Sequence, residues 1–420
     1  MARKWPPTNA ELDAWRQVGD PEADRFVADH FKKESMRPLM AALVKQKNVA
    51  RTDLAELAID ENEQAEASLR ELLDAMAERM PGVTDEDIRI GQDLFEMYGP
   101  EILMILGCYS LPAAYSAKKG VQVLATTKFL ELEPDRRLAE TSQIIMDVMT
   151  EGLGEGKGGR EAAERTRLIH AAIRRLLVED PDFDTDTLGV PINQEDLAAT
   201  LMTFSYLVLE GLGKMNMRVT DEQAQAYIDT WRQVGCLLGI ESGLLPQNVE
   251  EAEQLTRAIQ NRQVAPSPRG IELLSILRNA LAEKTLPGLP SAMMRLFMPA
   301  GVADAMEIPR NKMWPPVPDW AIHQLVRAAG TIDGLILARL GRRSLILRDV
   351  SLDLLEQVMG WQDSEKGSKE RFEIPDSIDW WEQRDVEGRG KVSRILLDTA
   401  LAGPRGARAA RANRKARSSG

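Results

Sequence analysis

The amino-acid sequence predicts an all-α protein, a single large multi-helix globular domain. Three observations carry this. Only 8 Phe, 5 Tyr and 8 Trp occur among 420 residues, while Ala, Leu, Met, Glu, Gln and Arg abound, a balance that favours helices over strands. Apolar residues recur at helical spacing in one segment after another. Helix-start signals stand in front of many of those segments.

Taken in order, Gly19 to Pro21 marks a turn that opens a helix carrying Phe26, Val27 and His30, with Pro21 suited to the first helical turn. His30 has Lys32, Lys33 and Glu34 beside it and reads as a half-exposed surface residue. Residues 52 to 78 form an acidic amphipathic helix with Leu54, Leu57, Leu69, Leu72, Leu73 and Met76 on its apolar side. Thr84 with Asp87 resembles a capping box and starts the next helix, through Phe95 and Met97. Ile102 to Ala117 is apolar nearly all round and should be buried.

A helix from about Pro134 to Glu151 and another from Arg160 to Val178 are joined by Gly152-Leu-Gly-Glu-Gly-Lys-Gly-Gly159, read as a flexible connection. The loop has Gly156-Lys157 but no following Ser or Thr and no preceding strand, so it is not a phosphate-binding P-loop. Asn193 caps a helix from Gln194 to Glu210, which Gly211 and Gly213 end. Thr220 with Gln223 caps another to Leu238. Further helices fall at about 249 to 263, 269 to 284 and 318 to 340, and Ser344 to Val350 forms a short strand. A polar arm over 361 to 390, holding Phe372, Ile374, Trp380 and Trp381, packs on the body. The domain runs over residues 1–403, with its motif-bearing core at about 10–310, and residues 404–420 read as a basic, disordered, solvated tail, with weak contact to anionic surfaces as the alternative.

The formal net charge of −12 argues against nucleic-acid binding. Cys108 and Cys236 are too few for a disulfide framework and read as buried free thiols. No segment is long and apolar enough to span a bilayer and the N-terminus lacks a signal-peptide core, so a cytoplasmic home is expected. No Glu-x-x-His pair supports a di-iron bundle and no Gly-x-Ser-x-Gly elbow supports a hydrolase. His323 packs near the surface.

The candidate site lies on one helix. Arg167, His170 and Arg174 fall within roughly a 60° arc, because offsets of three and four bring side chains together. Leu168, Ile169, Ala171, Ala172, Ile173, Leu176 and Leu177 surround them, and an apolar setting favours the neutral imidazole that metal ligation requires. Two arginines beside a buried histidine call for an anionic partner. Haem would supply both needs, an iron for the imidazole and propionates for the guanidiniums. Otherwise the arginines pair with carboxylates such as Glu164 and Asp182, and His170 is an ordinary core residue. On the preceding helix Arg137, Glu140 and Thr141 share a face. In an antiparallel hairpin Thr141 and His170 stand at one height, about 16 Å from the loop. A glycine-rich connection would let the two helices part beyond the ~8 to 10 Å of direct packing, enough for a flat cofactor.

Arg167-Leu-Ile-His170-Ala-Ala-Ile-Arg174 resembles the Arg-x-x-His-x-x-x-Arg pattern of the haem-dependent latex-clearing proteins, or rubber oxygenases, and the related MpaB-type oxygenases. Arg137-Leu-Ala-Glu140-Thr141 resembles their distal pattern, and Gly19–Asp24, Pro191–Asp196, Thr230–Gly235 and Pro299–Asp304 look like further family stretches. The resemblance implies a helical haem-b fold in which His170 is the axial iron ligand and the substrate enters on the distal side. It implies an oxygenase that uses dioxygen on a C=C bond of an apolar isoprenoid or lipid-like small molecule. Arg167 and Arg174 would hold propionates or the histidine helix, Arg137 and Thr141 would shape the distal pocket, and Glu140 would be a candidate for moving a proton. Rubber oxygenases carry a lysine, able to take the sixth iron position, where this chain has Glu140, so the distal iron ligand is left open. The secreted ones have export signals, so polymeric rubber is not the expected substrate. A haem-binding sensor or carrier and a haem-free scaffold for an apolar ligand are the alternatives.

Overall fold

The structure, a computed structural model, describes residues 4–45, 64–78, 82–127, 141–285, 288–310 and 318–340. Among the described residues there are helices and no strand, apart from an isolated antiparallel bridge between Ala117 and Val264. The expected strand at Ser344 to Val350, the arm at 361 to 390 and the basic tail lie outside the described residues.

Local signals place many of the helix starts. Thr84 Oγ1 accepts from the Asp87 backbone N–H at 3.1 Å while Asp87 Oδ2 accepts from the Thr84 N–H at 3.0 Å, opening the helix Asp85–Ile105. Thr220 and Gln223 do the same for Asp221–Leu237, and Asn193 Oδ1 accepts from the Asp196 N–H at 2.9 Å at the head of Gln194–Phe204. These caps satisfy donors that a helix start leaves without intrahelical partners.

The helices Asp221–Leu237 and Asp85–Ile105 pack along each other at the centre. Gly91 makes the contact possible, since a Cβ there would lie 2.6 Å from Thr230 Oγ1 and 3.1 Å from the Ala226 carbonyl oxygen. Asp85–Ile105 kinks at Tyr98, two residues before Pro100, whose ring and missing N–H interrupt the helical ladder. A continuous core runs through the described helices, and a small satellite of Val123, Leu177 and Phe183 lies beside it.

Two expectations are corrected. The segment after Asn193 is not one helix to Glu210; it breaks at Ser205 into Gln194–Phe204 and Tyr206–Lys214. Gly211 and Gly213 both lie inside the second helix rather than ending the first; Gly211 is small for packing, since a Cβ there would come within 2.7 Å of the Ile105 side chain. Cys108 is buried as expected, and burial pushes its thiol up to about 12; Cys236 is only half-buried. Among the described residues no helix is long and apolar enough to cross a membrane.

Candidate functional site

The helix that carries the candidate residues is Gly158–Val178. Its apolar side, with Ala162, Ala163, Leu168, Ala171 and Ala172, faces the core, and it packs against Pro21–His30, Met36–Lys45 and Asp221–Leu237. Before it, residues 141 to 146 are helical and Asp147–Glu151 forms a π-turn, a wider winding that often marks functional sites. The connection is tighter than a loose glycine loop. A Cβ on Gly159 would lie 2.6 Å from both Val148 Cα and the Gly152 carbonyl oxygen. Near the loop the two helices are therefore in close contact, and that is where the glycine is needed.

Arg167 is buried and committed. Its Nε and Nη2 donate to Asp20 Oδ2 and Oδ1 at 2.5 and 2.8 Å, and Nη2 also reaches Glu22 Oε2 at 3.1 Å. Arg167 and Asp20 are each 2 % exposed. Burial disfavours the guanidinium charge, yet the bonds to Asp20 and Glu22 outweigh it and raise the pKa above the ordinary arginine value.

Arg174 is equally buried but less satisfied. It passes over Gly19, where a Cβ would lie 2.5 Å from its Nε, and approaches Asp24 Oδ2 at 3.4 Å. Its Nε and Nη1 find no hydrogen-bond acceptor among the described residues. Burial lowers its pKa, and Asp24 and Asp20 only partly offset this. On Asp24, burial prevails over Arg174 and pushes the carboxyl up to about 6. Neighbouring Arg175 donates through Nη1 to the carbonyls of Val27 and Phe31 at 2.8 and 2.7 Å.

The carboxylates that meet the arginines therefore come from Gly19–Asp24, not from Glu164 or Asp182. Glu164 instead accepts from Arg160 at 2.7 Å. The signal for this was present in the segment Gly19–Asp24, but nothing in its local spacing says which arginine it meets. Gly239, with φ +76°, seals the pair: a Cβ there would lie 2.3 Å from Asp20 Oδ2 and 2.6 Å from Arg167 Nε. Gln194, fully buried, ties the same place together by donating to the carbonyls of Gly19 and Gly239 at 2.7 and 2.9 Å and accepting from the Glu241 N–H at 2.8 Å. Below it, Glu195 accepts from Arg16 at 3.0 Å and from Gln263 at 2.8 Å.

His170, expected to be buried, is only half-buried on the same helix, one turn from Arg167. Thr141 is half-buried at the start of the described part of the preceding helix, whereas Arg137 and Glu140 lie outside the described residues. His30 is half-buried with its ring 5.3 Å from Phe26, and His323 Nε2 lies 3.0 Å from the Ala292 carbonyl oxygen, so both are occupied by packing. Among the described residues no group of three or more His, Cys, Asp or Glu could hold a metal ion by itself.

These features define a class: an all-α domain with a histidine on a long helix anchored by a buried arginine–carboxylate pair. The family model described as "ER-bound oxygenase mpaB/B'/Rubber oxygenase, catalytic domain" matches residues 97–331, more than half of the chain, and the span contains Thr141, Arg167, His170 and Arg174. The protein belongs to this family. It is 28% identical over 123 residues to a rubber oxygenase of Streptomyces sp. (strain K30), a match covering 29% of this chain and 30% of that protein. A solved structure, latex clearing protein LCP in the closed state, has the same fold, with a TM-score of 0.62 at 21% identity over 86% of this chain and 95% of that chain.

Proposed function

We propose that the protein is a haem-b-dependent oxygenase that uses dioxygen to act on a C=C bond of an apolar isoprenoid or lipid-like substrate. The observation that carries this is the placement of His170, within the family's catalytic domain, on a helix whose orientation is held by buried ion pairs. The donor set suits the cofactor. His170 offers a nitrogen ligand, and Arg174 has buried N–H groups available for a carboxylate, which a haem propionate supplies. Arg167 is already committed to Asp20 and Glu22. The two arginines would therefore divide the roles: Arg167 would hold the histidine helix, and Arg174 would be the donor for the cofactor's acidic edge.

When bound, the haem would supply dioxygen binding and activation, which protein side chains alone cannot provide. The chain's own residues would do the rest. Arg137 and Thr141 would shape the distal side, and Glu140 would hold or move a proton. The apolar substrate would enter against that distal wall, where exclusion of water strengthens each polar contact.

Titration of the purified protein with haemin tests the reading. The expected result is stoichiometric uptake with a Soret band that His170→Ala abolishes while the far-UV circular dichroism survives. An unmodified chain that stays colourless would sink the haem reading. A second reading, a haem-binding sensor, is favoured by Glu140, which stands where rubber oxygenases carry lysine. Oxygen uptake by haem-loaded protein with terpenes, carotenoids and unsaturated lipids separates the two, since a sensor would show no turnover.

A further inference from the structure

We propose that Asp20 is a positioning residue for the cofactor ligand: through Arg167 it sets the rotation of the helix that carries His170. The proposal rests on the haem reading above and adds to it a group 150 residues away in sequence, N-terminal to the matched span.

The geometry makes Asp20 a fixed point. It caps the helix Pro21–His30, accepting from the Ala23 N–H at 3.3 Å, and its own N–H donates to Asp24 Oδ2 at 3.1 Å. Both of its carboxylate oxygens also accept from Arg167. Gly239 closes over the pair with no room for a side chain, and Gln194 pins the Gly19 and Gly239 carbonyls on either side of it. At the far end of Pro21–His30, Arg175 holds the carbonyls of Val27 and Phe31. The histidine helix is thus held at two heights along the same N-terminal helix, by Arg167 before His170 and by Arg175 after it.

Arg167 precedes His170 by three residues, a rise of about 4.5 Å and an azimuth difference of about 60°. A side chain tip lies about 5 to 6 Å from the helix axis, so a rotation of about 10° would carry the imidazole about 1 Å. Ligand geometry tolerates about 0.5 Å before binding suffers. A bidentate contact between two buried planar groups resists such a rotation, because turning the helix separates two hydrogen bonds at once in a place where water cannot replace them.

The test uses the full-length chain and haemin, with three variants: Asp20→Asn, Asp20→Ala, and Asp20→Ala combined with Arg167→Met. The double variant removes both charges of the buried pair, so the fold survives where the single alanine variant leaves Arg167 with only the half-buried Glu22 as a partner. Its circular dichroism should match that of the unmodified protein, while its urea midpoint should fall only by what the lost N-cap of Pro21–His30 contributes. Its haem dissociation rate should nevertheless rise ~10-fold or more, the range for groups that orient a metal ligand, with a displaced Soret maximum. Asp20→Asn, which keeps the shape and one acceptor, should lie between. A folded double variant that holds haem with unchanged Soret band and dissociation rate would make Asp20 a purely structural residue and overturn the proposal while leaving the haem reading intact. Failure of the unmodified protein to take up haemin would overturn both.

Discussion

Replacing Gly239 by alanine probes the lock behind the histidine helix. Gly239 holds φ +76°, a left-handed conformation that costs an L-residue about 1–2 kcal/mol. The added Cβ would also lie 2.3 Å from Asp20 Oδ2, 2.6 Å from Arg167 Nε and 2.9 Å from Arg167 Cζ, so the buried pair would have to part. Breaking such a pair outright costs about 3–5 kcal/mol. Because Asp20 and Arg167 would be displaced rather than deleted, the summed loss for Gly239→Ala should be about 3–5 kcal/mol. Gly156→Ala is the control: that residue has φ +70° and nothing within 4 Å of its Cβ position. It should lose only the conformational part, about 1–2 kcal/mol. The entropy that alanine removes from the unfolded chain is common to both and cancels in the comparison. Urea denaturation followed by circular dichroism reads the difference. Equal midpoints for the two variants would refute the reading that Gly239 leaves space for the ion pair rather than forming a tolerant turn.

Other expectations follow from the same contacts. Asp24 has its carboxyl raised in the fold to about 6 from an ordinary value of 3.8. Its contribution to stability is therefore fully present below the ordinary value and is lost as pH rises through about 6. Asp24→Asn, which mimics the protonated form, should flatten the thermal midpoint between pH 4 and 7 by approximation to the low-pH value, about the window the shift defines; an unchanged slope would count against it. Phe297, 1 % exposed and stacked on Tyr109 with ring centroids 5.6 Å apart, should cost about 3–5 kcal/mol as alanine, and a loss under about 1 kcal/mol would show that the stack is dispensable. Tyr109→Phe removes a hydroxyl that donates to Glu210, yet Arg257 remains 2.9 Å and Lys214 3.5 Å from that carboxylate. Its cost should be only about 1 kcal/mol by chemical denaturation.

Much of the helical framework was legible in sequence because its signals are local. The pairs Thr84 with Asp87 and Thr220 with Gln223 are three residues apart and satisfy each other's backbone, so the sequence states the helix start. The helices Val249–Gln263, Pro268–Lys284 and Asp319–Leu340 fall within a residue of their expected bounds, the first two starting at the local caps Asn248 and Ser267. Ser205 and Gly211 misled because their roles are tertiary. The break at Ser205 turns the chain within an apolar run, and Gly211 is small so that Ile105 can approach. Neither leaves a mark in periodicity.

The candidate site divides the same way. The Arg-x-x-His-x-x-x-Arg spacing by itself put Arg167, His170 and Arg174 on one helix, since 3.6 residues per turn leaves no other placement. It could not say what meets the arginines. A guanidinium is satisfied by any carboxylate that the fold delivers, and the nearby candidates Glu164 and Asp182 were passed over for Asp20, Glu22 and Asp24, more than 140 residues earlier. Only the tertiary structure brought that segment onto the histidine helix, because the pairing depends on helix packing, on a glycine at 239 that leaves room for two charged groups, and on a glutamine at 194 that satisfies the backbone around them.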